Sequence, residues 1–110
     1  MIQDTIAKLE EKIRTNSSLS EENRAELLYL LSQLNPQITE LSRTHTEHAE
    51  SIAGSIERSA YEAMQEERNP GTLKSEIDTL SDSVKDFEVS HPKLVETVNY
   101  IANVLANMGI

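Results

Sequence analysis

The sequence predicts an all-α protein, a long antiparallel helical hairpin preceded by a short N-terminal helix. Three observations carry this. From Thr72 onward the apolar residues fall at Leu73, Ile77, Leu80, Val84, Phe87, Leu94, Val98, Ile101, Leu105 and Met108. Their spacing alternates between four and three, with one step of seven at His91, so one helix carries one continuous apolar seam. Leu27, Leu28, Leu30, Leu31 and Leu34 crowd a second segment and make a face broader than a seam. Asn69-Pro70-Gly71-Thr72 is the clearest turn in the chain, and a short turn between two long helices makes a hairpin.

The elements follow in order within a single domain, 1–110. Ile2, Ile6, Leu9 and Ile13 place a first helix within 1–15, closed by the polar cluster Thr15-Asn16-Ser17-Ser18. Ser20 is a suitable N-cap for the next helix, with Glu21 and Glu22 where the dipole favours negative charge; Ser18 is the alternative cap. The seam Leu27, Leu31, Leu34, Ile38, Leu41, His45, His48, Ile52 and Ile56 stays in phase across Asn35-Pro36. The sequence therefore predicts one long helix over 20–68, kinked at Pro36. Its part from Pro36 to about Arg68 would reach roughly 45–50 Å. Between Leu41 and Ile52 this helix has no large aliphatic residue, and Ala49, Ala53, Gly54, Ala60 and Ala63 follow. Small residues either allow close helix approach or mark a weakly packed arm, and periodicity leaves both open. Thr72 is the expected cap of the last long helix, 72–108, kinked at Ser90-His91-Pro92. Gly109 sits where a C′ glycine belongs, with Ile110 placed to touch Leu105.

Composition bounds the function. The chain of 110 residues has one Phe, three Tyr, no Trp and no Cys. The core must be aliphatic, and disulfides and thiolate metal sites are excluded. No secretory h-region and no membrane-length apolar run is present, so a cytoplasmic protein is expected. The net charge of −9 disfavours nucleic acid and anionic lipid as direct partners. An acidic nucleic-acid mimic is the sharper reading of that charge; a well-solvated surface is the plainer one. Three scattered glycines make no phosphate cradle, and no Ser-His-Asp set exists. No enzyme activity and no cofactor is expected.

Three candidate sites stand against plainer readings. His45 and His48, at i and i+3, share a helix face and are the candidate metal ligands. The plainer reading is two histidines on a thin seam, because one helix supplies only two imidazoles. Glu88-Val89-Ser90-His91 has the Glu-x-x-His spacing of di-iron bundles. It occurs once, beside Pro92, and reads better as a capping junction anchored by Phe87. Asn99, Asn103 and Asn107 form a polar stripe flanked by Tyr100, either an exposed face or a buried register device.

The block Phe87-Glu88-Val89-Ser90-His91-Pro92-Lys93-Leu94, with Asn107-Met108-Gly109-Ile110 at the end, resembles a family of small bacterial helical proteins of unknown function. The resemblance covers roughly residues 1–35 and 72–110. It implies a soluble helical protein and transfers no catalytic residue.

The expected function is that of a non-enzymatic interaction or scaffold protein, self-associating through the seam Leu27, Leu31, Leu34, Ile38, Leu41, Leu73, Ile77, Leu80, Val84, Phe87, Leu94, Val98, Ile101 and Leu105. A homodimer would complete a four-helix bundle, with an unidentified protein as a further partner. The alternative is a metal-binding bundle using His45 and His48.

Overall fold

A computed structural model describes residues 2–65, 67 and 69–109. It is all-α, with helices α1 (Ile2–Thr15), α2 (Glu21–Ser42), α3 (Thr46–Met64), α4 (Pro70–Ser83) and α5 (Pro92–Gly109). A 3-10 turn, Lys85–Phe87, links the last two.

The α1 seam is buried at Ile2, Ile6, Leu9 and Ile13. Arg24 of α2 reaches back across the end of α1. Its Nη1 donates to the carbonyls of Ile13 and Arg14, and its Nη2 to that of Leu19. These are carbonyls that a helix end and the loop after it leave without partners, and a cation there also opposes the helix dipole. Ser20 caps α2, its Oγ accepting from the Asn23 amide at 3.1 Å. Ser18 instead turns back on Asn16, its amide and Oγ both donating to Asn16 Oδ1.

The helix α2 runs unbroken through Pro36. Pro36 is exposed, so the carbonyl it leaves without a donor lies toward water, while Leu34 and Ile38 on either side are fully buried. The chain breaks later than the sequence suggested. The expected single helix from Pro36 to about Arg68 is two helices, separated at residues 43–45. There Ser42 Oγ, Thr44 Oγ1 and Thr46 Oγ1 donate to the carbonyls of Thr39, Leu41 and Ser42. Such local bonds offer the backbone an alternative to the helix. The seam supplies no large side chain between Leu41 and Ile52 to hold the helix straight. A straight rod would also exceed the longest dimension of the molecule, 37 Å. The expected end at Arg68 lies outside the described residues; α3 ends at Met64.

Folding back places α3 at the centre, packed against each of the other four helices. Its buried face is made of Ala49, Ile52, Ala53, Ser55, Ile56, Ser59, Ala60, Ala63 and Met64. The small residues of this region therefore belong to a packed core. α4 begins earlier than expected: Asn69 is the cap, its Oδ1 accepting from the Thr72 amide at 3.1 Å, and Pro70 is the first helical residue. The expected helix over 72–108 is also two helices, because α4 stops at Ser83 and the turn intervenes before Pro92. Val84 and Phe87 stay buried across the break, so the apolar seam outlasts the helix that carried it. Gly109 is the last helical residue of α5; the expected contact of Ile110 with Leu105 falls outside the described residues.

Each arm of the expected hairpin thus doubles on itself, and α5 packs against α2, α3 and α4. Leu27, Leu31, Leu34, Ile38, Leu41, Leu73, Leu80, Val84, Phe87, Leu94, Val98, Ile101 and Leu105 are buried, and Ile77 is half-buried. The chain itself covers the seam, without a second copy. Among the described residues, no helix is long and apolar enough to cross a membrane.

Candidate functional site

The two breaks meet. His45 and His48, at the start of α3, and His91, just before α5, all direct their rings at Phe87. Centroid separations from Phe87 are 5.3, 5.4 and 6.0 Å, each edge to face. Every histidine of the chain therefore packs on its one phenylalanine, which lies at a favourable aromatic spacing from each. His45 Nδ1 is 2.8 Å from Thr44 Oγ1, and His91 Nδ1 is 2.9 Å from Ser90 Oγ. The His91 amide donates to the Phe87 carbonyl at 2.8 Å, closing the junction. Phe87 is the anchor that the sequence assigned to it.

His45 and His48 lie side by side, with centroids 5.9 Å apart. Both are exposed. Among the described residues, no group of three or more His, Asp or Glu is arranged to hold a metal ion. A cation on His45 and His48 would have two imidazoles from this chain. Glu88 is exposed and lies in the turn, so the Glu-x-x-His spacing does not place its two side chains on one helix face.

A second region lies on the outer side of α5. Asn99, Asn103 and Asn107 are all exposed, so the stripe is a surface and not a buried register device. Tyr100 beside them is 54% exposed, and Val89 on the preceding turn is 95% exposed. Glu88, Pro92, Val95, Glu96, Asn99 and Tyr100 line a shallow groove of about 350 Å³ along this helix. Residues 97–109 contain no charged side chain, in a chain whose net charge is −9. The asparagine stripe was visible in the sequence. The groove was not, because it needs the turn at residues 88–91 to bring Glu88 alongside α5. Exposed Tyr29 on α2 also escaped the sequence reading, hidden within the leucine run.

A third cleft lies between the end of α1 and the end of α3, where the Lys12 ammonium sits 5.7 Å from the centre of the Tyr61 ring. Burial, then the charge of Glu57 and a hydrogen bond to it, push the Tyr61 phenol above its ordinary value. Among the described residues its lining, Lys12, Asn16, Tyr61, Met64, Gln65 and Glu67, presents no convergent set of reactive side chains.

Fold and surfaces together define a small all-α helical bundle with an exposed helix face. Residues 50–110, from the first turns of α3 through α5, match the model of DUF4404, a domain of unknown function, and the chain belongs to that family. The match takes in residues 50–71 as well as the C-terminal block that carried the resemblance, and it leaves α1 and α2 outside. No curated protein and no solved structure matches the chain.

Proposed function

We propose that the protein is a non-enzymatic helical interaction module whose working surface is the outer face of α5. One observation carries the reading: in an acidic chain, a helix presents an uncharged strip of Asn99, Asn103 and Asn107 with the exposed aromatic Tyr100. Protein interfaces are depleted of charge at their centres and enriched in tyrosine, and tyrosines often carry the binding energy. The acidity elsewhere repels nucleic acid and anionic lipid, which leaves a protein as the partner. The apolar seam expected to pair two copies is occupied inside the fold, so association falls to the surface instead.

The test is a photo-crosslinking amino acid at position 100 in living cells, with position 74 on α4 as the control. A defined protein adduct at 100 and none at 74 is expected. Equal, diffuse labelling at both positions would contradict the reading.

A further inference from the structure

The groove on α5 has a composition that selects its occupant. Its lining combines Pro92, Val95 and Tyr100 with the carboxylates of Glu88 and Glu96 and the amides of Asn99 and Asn103. Neither carboxylate makes an ion pair among the described residues. Lys85, on the preceding turn, is engaged by Asp82 at 2.8 Å. Lys93 lines a separate depression with Pro36 and Glu40 of α2. The groove therefore offers two carboxylates that make no ion pair, with the charge of Lys85 acting on Glu88 as well as on Asp82, and an exposed aromatic ring on the same surface. A lysine or arginine stem packs well on the apolar and aromatic part of this lining with its cationic head at a carboxylate, and a cation over a tyrosine face gains further. A second copy of this chain fits poorly: it would bring Glu88 and Glu96 against an acidic surface, and like charges across an interface are costly.

We infer that the α5 groove docks a basic amphipathic segment of another protein, with lysine or arginine side chains directed at Glu88 and Glu96 and a stem laid against Tyr100. The inference rests on the interaction reading above and adds the chemistry of the partner.

The test uses the full chain, isotope-labelled, titrated with an eighteen-residue amphipathic peptide of Leu and Lys, followed by amide shifts. The same peptide with Glu in place of Lys is the control. Expected are saturable shifts at Tyr100, Asn103 and Val89 with the Lys peptide and none with the Glu peptide. The affinity should fall at least tenfold between low and high salt, as screening weakens the charge contacts. The double variant E88K/E96K should lose the binding. Both positions are exposed, so the fold should stand, which circular dichroism checks. The variant E10K/E11K on α1, a helix that α5 does not touch, carries the same charge change and should bind as wild type. The inference is overturned by an absence of binding, by shifts centred elsewhere, by equal losses in the two double variants, or by a chain that dimerises through Tyr100. A crosslinked partner at position 100 whose contacting segment is not basic would sink this inference and leave the interaction reading intact.

Discussion

The helices α2 and α3 are both deeply buried, and they fill the core by opposite means. α2 contributes volume through Leu27, Leu30, Leu31, Leu34, Ile38 and Leu41. α3 contributes proximity: Ala49, Ala53, Ala60 and Ala63 with Ser55 and Ser59 let neighbouring helices come close. Among the described residues, α3 alone packs against all four of the other helices. A hub helix has neighbours on several sides, and long side chains on all of them would hold those neighbours away. The centre of a small helical bundle can thus be built largely from small side chains, with Ile52, Ile56 and Met64 supplying its few large ones.

Breaking each helix by its own means separates the two modes. Truncation should hurt α2 most. Leu34→Ala removes a side chain with no exposure and should cost about 3 kcal/mol, within the usual range for buried leucines; a loss below about 1 kcal/mol in urea unfolding would mean that the site collapses and α2 is not the volume-filling helix. Enlargement should hurt α3. Ala63→Leu, at another fully buried position, should cost about 1–3 kcal/mol by overpacking. A stabilised Ala63→Leu variant would show that α3 has spare room and that close approach is not its role.

Two smaller effects sharpen the picture of α3. The Ser59 hydroxyl is buried without a hydrogen-bond partner among the described residues, so Ser59→Ala should leave stability unchanged or raise it slightly. A clear loss in thermal unfolding would reveal a partner for that hydroxyl. At the outer edge of the helix, the Tyr61 phenol is held above its ordinary value of 10.0, by burial first and then by Glu57. A raised value in the folded state means that its contribution is complete below pH 10 and is lost as pH rises through the folded value. The melting temperature of the wild type should therefore fall more steeply above pH 10 than that of Tyr61→Phe. Parallel curves would remove Tyr61 from the account.

Much of the fold was legible. The α1 seam, the Ser20 cap, the leucine face and the C-terminal seam each follow from spacing that reflects burial directly. The break at residues 43–45 was not legible because the seam passes through it in phase: His45 and His48 occupy positions that a continuous helix would also have used. The burial of α3 was ambiguous because an alanine serves equally in a tight interface and in an exposed arm. The Arg24 clasp left no trace, since its acceptors are backbone carbonyls that every sequence possesses. Of the surfaces, Phe87 and His91 were readable as a junction, but the arrival of His45 and His48 at the same ring required the fold-back between α2 and α3.

The position of α5 has a consequence for synthesis. This helix closes against α2, α3 and α4, yet it is the last of the five to be made. While the ribosome still holds residues 92–109, the nascent chain has a leucine-rich α2 with one flank open to solvent. Exposed apolar surface of this kind invites aggregation and recruits chaperones. The cooperative core forms only once α5 has emerged and can close against its neighbours. Mutations at Leu94, Val98 or Ile101 should therefore lower the yield of soluble protein in cells by more than their effect on the equilibrium stability of the purified chain.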